Sequence, residues 1–315
     1  MNPGEPSHSH PRPILLAGAT ATGKSEVALL LAEKLGGEII SVDSMQVYRG
    51  LDIGTAKPDA AERQRVPHHL IDIAELNETF DAARFVRLAR AAVVEIQSRG
   101  RRPILCGGTG LYFKAFLEGL GEAPPADAAL RVALEATPLP ELLLELQRRD
   151  PVTFGKIDRQ NPRRIIRALE VIRLTGKPFS AQRAPWSSSP PSSTLNPQPS
   201  TIFGLTREPA DLHTRINVRV DVMFRRGLVA EVQALLSRGL AENRTAMQAI
   251  GYRQVVEHLR GEHSLPETIE LVKIRTRQFA KRQMTWYRRQ LPMNWLPCQP
   301  HDAPETVAAR IIAAD

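Results

Sequence analysis

Apolar residues in this chain form short unbroken runs that alternate with helical stripes, an order that predicts a parallel α/β sheet. Ile14–Ala17 is an apolar run that ends in a glycine turn. Glu26–Leu35 reads as a compact helix closed by Gly36-Gly37, and Glu38–Val42 is strand-like again, ending at Asp43. A strand–loop–helix–strand unit of about 30 residues is the signature of parallel pairing. Phe85, Leu88, Ala92 and Ile96 recur at spacings of three and four. That predicts one apolar face of a helix over Thr79–Arg99, with Thr79 as N-cap and Gly100 as the residue that ends it. Pro103–Cys106 is the next strand, and Gly107-Gly108-Thr109-Gly110 turns it into a further helix.

The pattern changes after Gly121. Residues 127–180 are rich in Leu, Arg and Glu with no strand-like run, and residues 184–200 hold five prolines among serines, which sustain neither helix nor strand. Thr201–Leu205 reads as a strand returning to the main sheet. From Asp211 to Gln290 helices dominate, with Leu212, Ile216, Val220 and Met223 as one stripe. The expected organisation is a polar, Pro-rich disordered tail over 1–13, a core from 14–120 and 201–315, and a helical insertion over 121–200 that ends in a Ser/Pro-rich loop.

Composition narrows the class. The chain has 315 residues, a formal net charge of +8 and two cysteines, Cys106 and Cys298. Two cysteines exclude a disulfide framework and a four-cysteine zinc site. No run approaches the roughly 18 apolar residues of a membrane helix, and the N-terminus lacks the pattern of a secretory signal. The expectation is a soluble, cytoplasmic protein with no membrane partner, and no apolar seam suggests anything but a monomer. The charge is unevenly placed: Leu271–His301 carries seven Lys/Arg and no Asp or Glu, which leaves +1 for the remainder. Phe279, Trp286, Tyr287 and Trp295 are interleaved with those cations, a pattern expected of an anionic partner such as nucleic acid.

The candidate chemistry begins with Gly18-Ala19-Thr20-Ala21-Thr22-Gly23-Lys24-Ser25, a complete G-x-x-x-x-G-K-[ST] phosphate loop between a strand and a helix. Its amides and the helix N-terminus form an anion nest. Lys24 adds a mobile charge for the terminal phosphate, and Ser25 can place its hydroxyl on Mg²⁺. The fold class is therefore a P-loop NTPase-like parallel sheet with a mostly helical insertion and a helical C-terminal part. Such a loop ordinarily serves hydrolysis of ATP or GTP, or phosphoryl transfer, and Asp43 could position Mg²⁺ in such a site. Asp43, Thr109 and Lys24 all lie beyond carboxyl ends of strands, where open α/β sheets build their sites, and should converge on one crevice. Arg215 and Arg219, four apart on one helix, are neighbours; for Arg215 a solvated basic face is expected. Adjacent His68 and His69 point to opposite faces of a strand and are expected to be structural. Cys106, inside an apolar strand, is expected in the core.

Asp43-Ser44-Met45-Gln46-Val47-Tyr48-Arg49-Gly50-Leu51-Asp52-Ile53-Gly54-Thr55-Ala56-Lys57-Pro58 resembles a block of the tRNA dimethylallyltransferases (tRNA isopentenyltransferases). The resemblance continues through Val66–Asp72, Gly107–Tyr112, Arg163–Glu170, Gly251-Tyr252-Arg253 and Arg277–Trp286. The chain lacks the C-terminal zinc finger of eukaryotic relatives, which implies the bacterial form. What the resemblance implies is transfer of the dimethylallyl group of dimethylallyl diphosphate to N6 of the adenosine immediately 3′ of the anticodon, in tRNAs reading codons that start with U. The phosphate loop would then hold a diphosphate leaving group. Asp43 would take the N6 proton, Thr109 would contact donor or target nucleotide, and Arg219 would neutralise diphosphate charge. The tRNA anticodon stem-loop would meet Asp43, Ser44, Met45 and Gln46; Arg131; Gln160, Asn161, Pro162, Arg163 and Arg164; and Gln248, Ala249, Ile250, Gly251, Tyr252 and Arg253. It would also meet Lys281, Arg282, Gln283, Met284, Thr285, Trp286, Tyr287 and Arg288, with Trp286 or Tyr287 stacking on splayed bases. The alternatives are an ATP-dependent small-molecule or nucleoside kinase on the same loop, and a non-catalytic RNA-binding protein with a nucleotide switch.

Overall fold

A computed structural model describes residues 10–120, 124–182 and 201–315. These fall into two compact units, one of residues 10–116 with 201–315 and one lying within 117–182. The larger unit begins with strand β1 (Ile14–Gly18), helix α1 (Lys24–Leu35), β2 (Gly37–Val42), α2 (Ala60–Arg65), β3 (His68–His69), α3 (Ala82–Ser98), β4 (Arg102–Gly107) and α4 (Gly110–Glu118). The smaller unit contains α5 (Ala128–Ala136), α6 (Leu139–Arg149), α7 (Pro151–Lys156), α8 (Pro162–Thr175) and α9 (Phe179–Gln182), with no strand among the described residues. The larger unit resumes with β5 (Ile202–Thr206), α10 (Pro209–Arg225), α11 (Leu228–Leu236), α12 (Tyr252–Leu259), α13 (Leu265–Gln290), β6 (Asn294–Pro297) and α14 (Pro304–Ala314).

The six strands form one parallel sheet in the order β3-β2-β4-β1-β5-β6. β1 is buried along its whole length, β2 likewise, and β4 from its second residue on. Strands covered on both faces read as unbroken apolar runs, which is why the sequence located all three. Helices α1 and α14 close one cluster over the sheet, where Val27, Leu31, Val307 and Ile311 meet Ile14, Leu16, Ile104 and Phe203. The expected tail is held at its end: Pro11 and Arg12 carbonyls accept from Gln97 and Arg102. Residues 1–9 lie outside the described residues, as does the expected loop over 184–200 apart from its neighbour at 201.

Three local expectations need correction. Helix α3 is capped by Asp81, not Thr79; the Asp81 carboxylate accepts from the Arg84 N–H at 2.8 Å and so fixes the start two residues later. Its buried stripe runs through Phe85, Ala89, Ala92 and Ile96, leaving Leu88 half-buried. Helix α1 starts at Lys24, because Gly23 adopts φ +94° and serves as the N-cap. The ending at Gly100, with φ +68°, is as expected.

In the smaller unit Leu134, Leu142, Leu146, Ile165, Leu169 and Ile172 form the core. Glu170 is fully buried within it, and its carboxylate accepts from Arg131 at 2.8 Å, from Arg167 at 2.7 Å and from the Asp127 N–H at 3.0 Å. Among the described residues no helix is long and apolar enough to cross a membrane.

Candidate active site

Adjacent strands β2, β4 and β1 end at Val42, Gly107 and Gly18, so the loops that follow lie side by side at the carboxyl edge of the sheet. A cavity of about 410 Å³ opens there, and Lys24, Ser25, Asp43 and Thr109 all line it. Helices α10 and α13 supply the opposite wall with Arg219, Val220, Met223, Val272 and Phe279. Hydrophobic periodicity is what brings them: Leu212, Ile216 and Val220 of α10 pack with Val272 and Ala280 of α13 and with Ala19 of the loop.

The phosphate loop is braced from behind. Ala21 at φ +64° and Gly23 turn the chain. The Thr22 hydroxyl donates to the Ala19 carbonyl at 2.9 Å. Arg215 donates to the Ala21 carbonyl and Arg207 to the Thr22 carbonyl, each at 3.0 Å. Arg215 is thus a brace for the loop, not a solvated basic face. Arg207 carried no motif that could have announced it; only the return of β5 beside β1 brings it there. The Thr20 N–H is taken by Gln283 at 2.9 Å, so that amide does not face into the nest.

The electrostatics of the cavity are unbalanced. Burial pushes the Lys24 ammonium below its ordinary value, Arg219 adds to that shift, and Asp43 opposes it. Burial lowers Arg219 as well, again opposed by Asp43. Lys24 rests on the Ala19 carbonyl at 3.2 Å, while the Arg219 guanidinium has no hydrogen-bond partner among the described residues. Two desolvated cations beside one carboxylate make a site for a compact anion.

Asp43 is held by its own turn, its Oδ1 accepting from the N–H groups of Met45 and Gln46 at 2.8 and 3.3 Å. The Thr109 hydroxyl accepts from the Ser44 N–H at 3.1 Å and so ties the ends of β2 and β4 together. The Gln46 side chain is occupied: it accepts from Ser41 and donates to the carbonyls of Thr55 and Ala56. That loop is held from the other side by Glu231, which accepts from Ile53 and Gly54 N–H groups and from the Tyr252 hydroxyl at 2.6 Å. A Cβ on Gly54 would stand 2.4 Å from the Tyr252 ring, so the loop can close only as glycine.

Several residues expected at an RNA surface are buried or engaged with other side chains. Tyr252 and Tyr287 are fully buried, and Gln283, Ala249 and Gly251 are buried too, with Gln283 and Ala249 in the lining of the cavity. Tyr252 clamps the 53–56 loop instead. Tyr287 packs edge-on to Trp286, and half-buried Trp286 lies over Gly110. Arg131 is spent on buried Glu170. Asn161 and Pro162 are the N-cap and first residue of α8, which explains their types without a ligand; Gln160, Arg163 and Arg164 are exposed. Lys273 is neutralised by Asp221 and Glu270, both at 2.8 Å, because the paired acids lie outside the run that looked purely basic. Lys281, Arg282, Thr285 and Arg288 remain exposed on α13, as are Gln248 and Arg253; Ile250 and Met284 are partly buried.

The two histidines divide as strand geometry requires. His69 contacts Glu38 at 2.7 Å and His68 the Val66 carbonyl at 2.8 Å. Cys106 is a core residue whose thiol donates to the Lys24 carbonyl and is pushed up to about 11 by burial, which makes it a poor nucleophile.

Fold and cavity together define a phosphate-loop α/β protein with a desolvated cationic crevice and a basic helix forming one wall. The family described as IPP transferase matches residues 46–290, and the chain belongs to that family. It is 48% identical over 290 residues to tRNA dimethylallyltransferase 1 of Trichlorobacter lovleyi, covering 91% of this chain and 93% of the relative. It is 50% identical over 285 residues to tRNA dimethylallyltransferase of Halorhodospira halophila, covering 88% and 90%. Among solved structures, the full-length tRNA isopentenylpyrophosphate transferase from Bacillus halodurans matches with a TM-score of 0.69 and 39% identity over 96% of each chain. A eukaryotic dimethylallyltransferase acting on tRNA matches with a TM-score of 0.77 and 28% identity, covering 96% of this chain and 78% of that one.

Proposed function

We propose that this protein transfers the dimethylallyl group of dimethylallyl diphosphate to N6 of the adenosine immediately 3′ of the anticodon, in tRNAs reading codons that start with U, and releases diphosphate. The observation that carries the reading is the cavity itself, in which two desolvated cations and a phosphate loop adjoin apolar Val220, Met223 and Val272. A diphosphate and a five-carbon chain need that pair of environments. Family membership and the relatives' names support prenyl transfer over phosphorylation from ATP.

In this reading the C1–O bond of the donor breaks as the C1–N6 bond forms. The electron pair leaves with the diphosphate, whose growing charge is met by Lys24, Arg219 and the loop amides. The N6 lone pair is conjugated into the adenine ring, so the amino group is a weak nucleophile. Asp43 accepts the N6 proton as the new bond forms, and its turn and Thr109 keep the carboxylate aimed into the cavity. Mg²⁺ fits the donors present, because it takes one or two protein oxygens and completes its shell with phosphates and water. Ser25 would hold it through its hydroxyl, and the ion would offset charge on the leaving group. The exposed cations Lys281, Arg282 and Arg288 contact RNA phosphates.

Diphosphate release in the presence of unmodified tRNA, the donor and Mg²⁺ tests the reading. Release that requires tRNA and stops on chelation supports it; phosphate transfer from ATP to a small molecule in the same cavity would replace it with the kinase.

A further inference from the structure

Helix α13 carries its exposed cations outward, yet the residue after Arg282 turns a polar side chain into the protein. Gln283 is only 8% exposed, and both halves of its amide are used. Its Oε1 accepts from the Thr20 N–H at 2.9 Å, and its Nε2 donates to the Gly108 carbonyl at 2.8 Å. Those backbone groups follow neighbouring strands, paired at Ala17 and Gly107. Beyond Thr20 lie Lys24 and Ser25; beyond Gly108 lies Thr109, which holds Ser44 next to Asp43. One side chain thus joins the half of the site that would hold the donor to the half that would hold the acceptor. The fit is close, because a Cβ on Gly108 would stand 2.6 Å from the Gln283 Nε2.

We propose that Gln283 is a positioning residue that fixes the distance between the phosphate loop and the Asp43–Thr109 wall, and that it makes no contact with RNA. The proposal rests on the prenyl-transfer reading. In-line transfer needs the reacting atoms about 3–3.5 Å apart, and a misplacement of about 1 Å costs roughly 10²-fold in rate. Without the bridge, the two loops keep their own internal bonds but lose their common spacer. Donor and RNA still bind, and the reacting atoms meet less often in line.

The test uses the full chain with Gln283→Met, which keeps the length and removes both hydrogen bonds, and Gly108→Ala, which crowds the same bridge from its other end. Steady-state transfer to unmodified tRNA, tRNA binding and thermal unfolding are measured for the wild type, each single variant and the double. Both single variants are expected to lose kcat by roughly 10²-fold while tRNA Kd stays near wild type. The double variant should be no slower than the worse single one, because both changes break one bridge. Weakened tRNA binding with unchanged kcat would make Gln283 an RNA contact and overturn the proposal. Wild-type kcat in the variants, or losses that multiply in the double, would overturn it too. If one variant fails to fold, the kcat and tRNA Kd of the other decide. Absence of transfer by the wild type would instead reject the reading on which the proposal rests.

Discussion

Asp43 interacts with two half-buried cations, Lys24 and Arg219, and its neighbours determine what each substitution should do. Asp43→Asn keeps the size and the turn but cannot accept the N6 proton. Turnover is expected to fall by roughly 10²–10⁴-fold while tRNA binding stays unchanged; single-turnover transfer with a parallel filter-binding assay reads both. Arg219→Gln removes the charge proposed to meet the leaving group, and kcat/KM for the donor should drop by about 10²–10³-fold. Lys24 carries a pH prediction. Burial lowers its affinity for a proton in the free protein, and a diphosphate in the nest would raise it again. Donor binding should therefore take up a proton at alkaline pH, and donor Kd should rise with pH there. Calorimetry in buffers of different ionisation enthalpy checks the sign. Lys24 and Asp43 were legible because the phosphate-loop motif and the strand-end Asp are local in sequence, whereas the role expected of Arg219 came only from the family resemblance. Arg207, Arg215 and Glu231 were not, because each acts on a loop that only the tertiary fold brings to it.

At the scale of elements, α13 serves two sides at once. Its outer face carries Lys281, Arg282 and Arg288, and its inner face carries Gln283 and Tyr287. A helical stripe explains why a continuous block of residues cannot all touch one partner: successive positions turn about 100° away from each other. The sequence block read as an RNA contact is thus half exposed and half scaffold. Replacing Lys281 and Arg282 with Ala should flatten the dependence of log Kd for tRNA on log salt by about 1 for each lost phosphate contact. Glu231→Ala tests the other support. It strands the Ile53 N–H and the Tyr252 O–H, while the Gly54 N–H keeps the Tyr252 oxygen, so unfolding free energy should fall by about 1–3 kcal/mol. Urea titration measures that loss directly. Strands buried on both faces could be read from their apolar runs, whereas β3 and β6, of two and four residues, were too short and too polar to stand out.

Across the whole molecule, the net charge of +8 has a sharper distribution than composition shows. Lys273 is paired with Asp221 of α10 and with Glu270 of its own helix, and Lys24 and Arg219 are half-buried beside Asp43. The surplus that faces solvent on α13 begins at Arg275 and includes Arg282, which lines the cavity together with Phe279. The parallel sheet places all three reacting loops at one edge, and the C-terminal helices close it. The central claim is that this cavity joins a five-carbon group to an adenosine. The most direct measurement incubates the protein with dimethylallyl diphosphate, Mg²⁺ and unmodified tRNA, digests the RNA and weighs its nucleosides. One dimethylallyl group on N6 of the adenosine 3′ of the anticodon is the expected product; unmodified adenosine beside ATP-dependent phosphorylation would contradict the account.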